Sequence, residues 1–481
     1  MSTTRRLRAA TPVAPTLEPG IARIRREMDL PAGFPPEVEA AAVQAAATPR
    51  LPDEDRSDIP FVSIDPPGAM DLDQALHVAR EGDGYVVHYA IADVAAFVSP
   101  GDPVDLEANR RGETLYGAND KVPLHPPALS EDAASLLPDQ LRPALLWTIH
   151  LDRTGEGTEV DVHRAMVRSR QRLDYEGVQQ SIDAGSADPM FDVLREIGEL
   201  RIQREQRRGG ISLPLPDQEI RGGDRDWRLE FRARCAIEDW NEQISLLTGM
   251  AAAHLMLERG VGLLRTLPEP PSRAIGRLRR SARALGIEWP GSRSYPDFIR
   301  SLDPANPRHV AMLVSCTSVL RGAGYAAFEG DPPPQPMHSA LASTYTHVTA
   351  PLRRLVDRYT GELCVAICAG EPVPQWVLDA LPGLPRTMAV SSQRAGRYER
   401  AVIDLAEALV LAPRVGDTFE ASIVDVDDRD ANLGVAMLHA LAIEAPVRAE
   451  GDGELPLGEV VRVQLERADP EQRAILFKRV A

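Results

Sequence analysis

Residues 61–76 read FVSIDPPGAMDLDQAL and hold the densest chemical signal of this 481-residue chain. The apolar FVSI predicts a short strand, and the Pro-Pro-Gly turn after it excludes a helix at that point. Asp65 ends the strand, and Asp71 and Asp73 follow the turn. In extended backbone, residues two apart point to the same side, with their Cα atoms about 6–7 Å apart. An extended segment therefore brings three carboxylates to one small volume.

Three neighbouring carboxylates repel one another unless water or a cation separates their charges. Hard divalent ions such as Mg²⁺ prefer oxygen ligands of this kind, and two ions about 3.5–4 Å apart form a site that hydrolyses phosphodiesters. A calcium-binding loop is excluded, because its Asp-x-Asp-x-Asp-Gly pattern is absent and Ala75 follows Gln74. The spacing equally allows the aspartates to cap a turn or the start of a helix-like QALHVA. Both interpretations stay open at this point.

The composition is that of a soluble globular protein, with 43% hydrophobic and 26% charged residues. Disordered, fibrous and disulfide-rich classes are excluded, and no run of about 18 apolar residues predicts a membrane-spanning helix. The net charge of −17, from 54 basic and 71 acidic residues, disfavours a general nucleic-acid binder. Lys121 and Lys478 are the only lysines, so 52 basic residues are arginines, whose planar guanidinium suits phosphate contacts.

The four cysteines, Cys235, Cys316, Cys364 and Cys368, form no CxxC pair. Small buried apolar side chains are the favoured interpretation, and a metal site is the alternative. The N-terminal MSTTRRLRAATPVAPTLEP lacks the apolar segment of a signal peptide. We therefore expect a reduced, cytoplasmic protein.

The order of local patterns predicts an α+β protein in three parts. Residues 1–58 form a short helical N-terminal segment and linker, with helical patterns at IARIRREM and PPEVEAAAVQAAA. Residues 59–412 form one large domain with strand signals in its first half and helices in its second. Its helical segments are predicted at Asp192–Arg208, Ile237–Arg259, Arg308–Arg321, Pro351–Ala369 and Ala389–Leu411.

Residues 413–481 predict a small OB-type barrel after a break at Pro413 and Gly416. Four strand signals occur in this part: DTFEASIVDV, ALAIEAPVRAE, GEVVRVQLER and RAILFKRV. Residues 415–481 hold 14 acidic against 7 basic side chains. This net charge of −7 disfavours strong binding of a polyanion by the barrel.

Several long motifs in order resemble the ribonuclease II/ribonuclease R family of RNB-domain 3′→5′ exoribonucleases. SIDPPGAMDLDQAL is similar to the family's aspartate signature, and YAIADVAAFVSPGDPVDLEANRRGETLY to the stretch that follows it. VPLHPPALSEDAASLLPDQLRPAL and HSALASTYTHVTAPLRRLVDRY are similar to two later motifs. The resemblance implies an RNB-type catalytic domain and a ribosomal S1-like C-terminal barrel. We expect a short member, because two N-terminal cold-shock-type barrels of longer members do not fit into about 58 residues.

The resemblance also assigns roles at the aspartate signature. Asp65, Asp71 and Asp73 match the metal-binding and catalytic aspartates of the family, with Asp73 the one most closely tied to activity. Gln74 stands where the family has a fourth aspartate, and a neutral amide oxygen is a weaker ligand than a carboxylate. Arg353 in APLRRL matches the arginine that faces the scissile phosphate. The alternative for Arg353 is a basic stripe on a helix surface.

Four further residues are candidates for contacts to RNA. Tyr175 matches the tyrosine that stacks on the last bases, and Tyr116 the one that sets the length of the final product. Glu399 resembles a glutamate that contacts the 3′-terminal nucleotide, and Arg354 is a secondary candidate next to Arg353. Half-buried tyrosines and a helix-surface ion pair are the structural alternatives for these residues. Asp93 also matches the family, and we interpret it as structural.

The resemblance implies a processive, hydrolytic exoribonuclease that degrades single-stranded RNA from its 3′ end to nucleoside 5′-monophosphates. We expect Mg²⁺ as cofactor, with Mn²⁺ as the alternative ion, no dinucleotide cofactor, no membrane contact and a monomeric chain. A catalytically weakened RNA-binding or regulatory protein on a nuclease scaffold is the alternative, motivated by Gln74. An endonuclease with the same site is a third interpretation. Arginine clusters at 201–208, 273–283, 353–358 and 394–400 predict a positive RNA path inside an acidic molecule.

Overall fold

The computed structural model describes residues 7–9, 17–118, 121–213, 217–221, 228–232, 234–303, 306–427, 429–451 and 453–480. Within them the chain is strand-rich in its first half, helical in its second and forms a barrel at its C-terminal end. The predicted α+β class is confirmed. In the part that is described, no helix combines the length and apolar character needed to cross a bilayer.

The N-terminal segment contains one strand and two helices: β1 (Leu7–Ala9), α1 (Glu18–Glu27) and α2 (Pro36–Ala47). Both helices coincide with the predicted patterns. Each has a proline in its first turn, where the missing N–H leaves no hydrogen bond unmade. Ile21 and Ile24 of α1 are buried in one apolar cluster with the C-terminal barrel. Helix α1 is therefore part of the packed structure.

The first closed barrel has the strand order β2-β3-β4-β7-β8. Its parallel pair is β2 with β8, and the other neighbours are antiparallel. A short hairpin, β5 with β6, and helix α3 lie between β4 and β7. The elements are β2 (Phe61–Ile64), β3 (Gln74–Glu81), β4 (Gly84–Ala92), α3 (Pro103–Arg111), β5 (Leu115–Tyr116), β6 (Lys121–Val122), β7 (Leu141–Leu151) and β8 (Gly157–Leu173).

The helix-like QALHVA is strand β3, so the helix interpretation of this segment was wrong. All eight residues of β3 pair with β4, from Gln74 opposite Ile91 to Glu81 opposite Gly84. Leu76 and Val78 are buried in the barrel core beside the fully buried Trp147. Pairing and burial in the barrel outweigh the weak local helix preference of the sequence.

The second half of the large domain is mainly helical, and its helices cover the barrel. The five predicted helices are present as parts of α5, α6, α9, α10 and α12. The elements are α4 (Tyr175–Asp183), α5 (Met190–Arg208), β9 (Asp217–Arg221), β10 (Arg228–Arg232), α6 (Ala236–Arg259), β11 (Val261–Thr266), α7 (Ser272–Ala284), α8 (Tyr295–Arg300), α9 (Pro307–Thr317), β12 (Gly324–Glu329), β13 (Met337–His338), β14 (Ser343–Thr344), α10 (Leu355–Cys368), α11 (Gln375–Ala380) and α12 (Leu384–Leu411).

The C-terminal barrel closes five strands in the order β15-β16-β17-β19-β18, with β17 and β19 parallel. Its strands are β15 (Thr418–Val426), β16 (Leu433–Leu438), β17 (Ile443–Arg448), β18 (Val460–Asp469) and β19 (Ala474–Val480). The predicted OB-type barrel is confirmed, but β16 was not among the four strand signals. Val424 and Met437 pack against the α7–α9 region, so the barrel is docked by apolar contacts.

Candidate active site

The three aspartates lie on the loop that joins β2 to β3. The Asp65 amide donates to the Leu173 carbonyl at 3.0 Å, which places Asp65 where β2 and β8 end. The Pro66 carbonyl accepts from the Ala69 amide at 3.2 Å, and Gly68 adopts φ 82°, a conformation that favours glycine. The turn therefore returns the chain towards the barrel with Asp71 and Asp73 ahead of β3.

Ser135 fixes the backbone on either side of Asp71. Its hydroxyl donates to the Met70 carbonyl at 2.6 Å and accepts from the Leu72 amide at 2.9 Å. Leu72 is fully buried in the apolar cluster under the loop. This contact was not predicted, because a lone serine 65 residues away carries no pairing signal in the sequence.

Asp73 is held by the turn before α10. Its Oδ1 accepts from the Leu352 amide at 2.8 Å, and its Oδ2 lies 3.0 Å from Arg353 Nε. The Asp73 side chain is 5% exposed, whereas the Arg353 side chain is 34% exposed. The carboxylate is therefore buried under an arginine that still faces solvent.

Arg353 lies on a turn, which corrects the predicted helix Pro351–Ala369. Helix α10 begins at Leu355, because the Ala350 amide donates to Asp357 Oδ1 at 2.7 Å and the Leu352 amide is used by Asp73. Arg354 makes two hydrogen bonds to Asp357, of 2.8 and 2.9 Å. Arg354 therefore stabilises the turn, and its predicted RNA contact stays a prediction.

Asp71 contacts a lysine that the family motif did not predict. Lys121 Nζ lies 2.9 Å from Asp71 Oδ1 and 2.8 Å from Glu131 Oε1. Tyr116 faces Lys121 across the β5–β6 hairpin, and its hydroxyl donates to Asp71 Oδ2 at 3.5 Å. The hairpin thus brings one of the predicted tyrosines to the aspartate loop.

Burial perturbs the carboxyls of Asp65 and Asp73. Desolvation raises the pKa of Asp73 to about 7 and the pKa of Asp65 to about 6, from an ordinary 3.8. The Arg353 charge opposes both shifts, and the Asp71 charge adds to both. Such carboxyls are poised to accept a cation, because their charged forms lack full hydration.

Tyr175 also lies at this end of the barrel. It begins α4 two residues after Leu173, the partner of Asp65, and Asp174 caps the helix by accepting from the Gly177 amide at 2.7 Å. The Tyr175 hydroxyl accepts from Asn241 Nδ2 at 3.1 Å. Burial and the nearby Asp65 charge raise the pKa of Tyr175 to about 12, so the ring is neutral and amphipathic.

Glu399 is carried by α12 and lies next to the fully buried Tyr398. The same helix reaches the site through Ser391, whose hydroxyl donates to Glu113 at 3.1 Å. Glu113 forms an isolated β-bridge with Arg354. The site is therefore approached by α12, but the predicted nucleotide contact of Glu399 stays a prediction.

The donor set fits a divalent cation that is bound through few protein ligands. Gln74 donates from Nε2 to the Thr349 carbonyl, so its amide oxygen is the atom left to ligate an ion. Among the described residues, no three His, Cys, Asp or Glu side chains form a ready cage. Mg²⁺ is commonly bound by one or two carboxylates together with water and substrate phosphate. The buried Asp73 and the half-buried Asp65 are the carboxylates that could hold such an ion.

Other predicted residues serve the fold. Asp93 is 1% exposed and accepts from Arg164 Nε at 2.9 Å, which agrees with a structural role. Arg201 donates to the Gly155 carbonyl and Arg279 stacks on Trp289, 4.4 Å from the ring centroid. The arginine clusters at 201–208 and 273–283 thus include residues that stabilise the fold, as does the cluster at 353–358, where Arg358 pairs with Asp105 at 2.7 Å. The RNA path along these clusters stays a prediction.

Comparisons with known proteins place these features in a family. The RNB domain family matches residues 53–368, and the RNase II-type exonuclease C-terminal S1 domain matches residues 417–480. The "Probable exosome complex exonuclease RRP44" of Caenorhabditis elegans is 31% identical over 353 residues, which are 68% of this chain and 36% of that protein. The chain spans between about a third and two thirds of the length of the curated relatives that it matches.

Two solved structures share the fold. "Mycoplasma genitalium RNase R in complex with ribose methylated single-stranded RNA" has a TM-score of 0.84 at 19% identity, covering 96% of this chain and 77% of that one. "Structure of yeast Ssd1, a pseudonuclease" has a TM-score of 0.71 at 16% identity, covering 92% of this chain and 57% of that one. With an RNB match over about two thirds of its length and an S1 match at its C-terminal end, this chain belongs to the RNB-domain exoribonuclease family.

Proposed function

We propose that this chain is a processive, hydrolytic 3′→5′ exoribonuclease that degrades single-stranded RNA to nucleoside 5′-monophosphates with Mg²⁺, or with Mn²⁺ in its place. One observation carries the proposal: Asp65, Asp71 and Asp73 occupy one loop at a barrel end, and Arg353 lies 3.0 Å from Asp73. Family membership supports the reaction class. A buried carboxylate beside a solvent-facing guanidinium suits a reaction in which negative charge develops on phosphoryl oxygens.

Each residue has a distinct task in this reaction. Arg353 binds the scissile phosphate and stabilises the charge that develops on its oxygens. Asp65 and Asp73 would hold the ion, with the Gln74 amide oxygen as a weak third ligand, and Asp71 would add negative charge beside them. When bound, the ion acts as a Lewis acid and lowers the pKa of water. Asp73 also keeps Arg353 in place through their ion pair.

Two tyrosines frame the path of the last nucleotides. Tyr175 lies at the Asp65 side and stacks on a terminal base, a contact worth about 1–3 kcal/mol by alanine substitution. Tyr116 lies at the Asp71 side and limits how short the product becomes. Glu399 contacts the terminal ribose, where a 2′-hydroxyl distinguishes RNA from DNA. Tyr116→Ala is expected to lengthen the final product, and an unchanged length would refute that role.

RNA approaches along an arginine-lined cavity of about 1390 Å³ between α1, α12 and the β18–β19 turn. Four arginines and two carboxylates line it, which makes it locally positive in a molecule of net charge −17: Arg321, Arg397, Arg400, Arg473, Glu27 and Asp404. Its wall includes Ser392, next to the serine that bonds Glu113. The cavity therefore lies beside the part of helix α12 that carries Ser391, which contacts Glu113 near the site.

Substitution of Arg321 and Arg397 tests this path, because both side chains are exposed in the cavity wall. The double substitution Arg321→Ala, Arg397→Ala is expected to weaken single-strand affinity and to lower the salt slope of binding by about 2. Arg429→Ala with Arg462→Ala on the C-terminal barrel is the matched control and should leave the slope unchanged. Equal losses in both double variants would contradict the path.

The activity itself is tested with 5′-labelled single-stranded RNA and Mg²⁺. Wild type should give a ladder that collapses to a short end product and release nucleoside 5′-monophosphates, whereas Asp73→Asn should leave the RNA intact. A circular RNA of the same sequence should resist wild type, and its cleavage would favour an endonuclease. An inert wild type that still binds RNA would favour the regulatory alternative.

That alternative has two observations in its favour: Gln74 replaces a carboxylate, and a pseudonuclease shares the fold. The retained Asp65, Asp71, Asp73 and Arg353 weigh against it, because a decayed site is expected to lose several of these groups. Gln74→Asp provides a direct comparison. We expect it to raise the rate or tighten Mg²⁺ binding, since a carboxylate is the stronger ligand.

A further inference from the structure

Lys121 places a permanent cation at the Asp71 side of the aspartate loop. Its Nζ lies between Asp71 Oδ1 at 2.9 Å and Glu131 Oε1 at 2.8 Å. The backbone around it is also tied down, because Arg25 of α1 donates to the Lys121 carbonyl at 2.9 Å and Tyr116 pairs with Lys121 in the hairpin. This ammonium is therefore a fixed part of the site.

The three partners are shielded from solvent. The side chains of Lys121, Asp71 and Glu131 are 27%, 15% and 30% exposed. Partly buried ion pairs are screened less than surface pairs, so removal of the lysine leaves two uncompensated carboxylates close together. In a chain with two lysines, the second one, Lys478, pairs with Glu450 on the C-terminal barrel at 2.9 Å and offers a matched control.

The charges of the site determine how many ions it needs. When all four carboxyls are ionised, the charges of Asp65, Asp71, Asp73 and Glu131 oppose those of Lys121 and Arg353, which leaves a net charge of −2 on these six side chains. One divalent cation neutralises that charge. A second ion near Asp71 would have to displace Lys121 from two carboxylates, and the neutral Gln74 offers no charge to compensate for that displacement.

We infer that Lys121 is a positioning residue that serves as a built-in cation at Asp71, so that the site operates with one divalent ion. The inference rests on the proposed function, because it concerns the same carboxylates. Lys121 holds Asp71 and Glu131 and thereby leaves Asp65 and Asp73 for the ion. The β5–β6 hairpin thus supplies a charge that two-metal nucleases obtain from a second ion.

Electron paramagnetic resonance of Mn²⁺ counts the ions without any turnover. Wild type should show isolated Mn²⁺ and no spin-coupled pair, because ions about 4 Å apart would couple. Lys121→Met should bind one more Mn²⁺ and give the coupled-pair signal. Lys121→Arg should restore the wild-type spectrum, and Lys478→Met should keep it. The spin-coupled signal also distinguishes two Mn²⁺ ions bound together at the site from single ions bound at dispersed carboxylates of the acidic C-terminal barrel.

Activity gives a second measurement. The rate of wild type should rise with Mg²⁺ concentration with a Hill coefficient of about 1, and that of Lys121→Met with a coefficient approaching 2. A coupled Mn²⁺ pair in wild type, or none in a folded Lys121→Met, would overturn the inference while the nuclease activity stands. If Lys121→Met does not fold, the Mn²⁺ spectra of Lys121→Gln and of wild type test the inference in its place. A wild type that binds no Mn²⁺ and hydrolyses no RNA would overturn both proposals.

Discussion

The two barrels of the molecule each close five strands with one parallel pair, but they treat charge differently. The first barrel buries Asp73 at 5% exposure beneath Arg353. The C-terminal barrel keeps its pairs outside, and the Arg448 and Glu466 side chains are 48% and 26% exposed. Buried charges interact strongly but cost free energy to desolvate, whereas exposed ion pairs contribute little to stability. Burial of charge, and not barrel geometry, therefore distinguishes the site from the scaffold.

The largest expected contrast comes from removing Arg353, which covers Asp73 at the end of the first barrel, and Arg448, which lies on the C-terminal barrel. Arg353→Gln should lower kcat for RNA hydrolysis by about 10²–10³-fold, because a charge-stabilising donor at the phosphate is lost. Arg448→Gln should stay within about twofold of wild type. Rates are measured on 5′-labelled single-stranded RNA at saturating Mg²⁺. Similar losses in the two variants would contradict the assignment of the chemistry to the first barrel.

The second contrast concerns pH and stability without metal. Asp73, with its pKa raised to about 7, and Asp65, raised to about 6, stabilise the fold when protonated. This contribution is complete below about pH 4 and is lost as the pH rises through 6 to 7. In EDTA at pH 8 the wild type should therefore have a lower free energy of unfolding than Asp73→Asn, by about 4 kcal/mol at most, and a correspondingly lower melting temperature.

Addition of Mg²⁺ at pH 8 should remove that difference by stabilising wild type alone. Glu420→Gln, an exposed carboxylate on β15, is the control and should shift no melting curve at any pH. A metal-free wild type that melts higher than Asp73→Asn at pH 8 would show that Asp73 is stabilised in its charged form.

A smaller effect is expected from two buried serines, Ser135 in the segment before β7 and Ser422 on β15 of the C-terminal barrel. Ser135→Ala leaves the Leu72 amide without its acceptor, which costs about 1–3 kcal/mol and loosens the Asp71 backbone. We expect kcat to fall about tenfold. Ser422→Ala, at the buried serine of β15, should lower the melting temperature without changing kcat. If kcat falls equally in both variants, the Ser135 contact does not position the site.

The smallest effect is expected at the surface of the C-terminal barrel. Arg448 makes two hydrogen bonds to Glu466, of 2.6 and 2.7 Å, but water screens the pair. Arg448→Gln should leave the melting temperature almost unchanged, and any change should vanish in 1 M salt. A larger or salt-independent loss would mean that this pair resembles the buried one at Asp73.

Local patterns were sufficient for much of this architecture. Helix α12 and the alternating strands of the C-terminal barrel have clear periodicity. The aspartate loop was found because proline and glycine restrict its backbone. Strands β3 and β16 were misjudged or missed, since their pairing partners and not their own residues stabilise the extended form. Arg353 was identified from its motif. The turn that carries it is held by the hydrogen bond from the Leu352 amide to Asp73, which lies 279 positions earlier in the sequence.

The contacts that complete the site are all distant in sequence. Ser135 meets Met70 and Leu72, and Lys121 meets Asp71 and Glu131. Such pairs leave no periodicity, so only the fold reveals them. The predicted RNA contacts of Tyr175, Tyr116, Glu399 and Arg354 stay predictions, although the first two lie at the ends of the aspartate loop.

The short helix α1 has a consequence for how the protein is handled. Arg25 bonds the Lys121 carbonyl, while Arg23 bonds the Pro470 carbonyl and Glu27 pairs with Arg473 at 2.7 Å on the C-terminal barrel. The ten residues of α1 thus connect the β5–β6 hairpin at the site to the C-terminal barrel. An affinity tag or trimming that disturbs this helix would act as a remote inhibitor, and purified material that differs only at its N-terminus would differ in turnover.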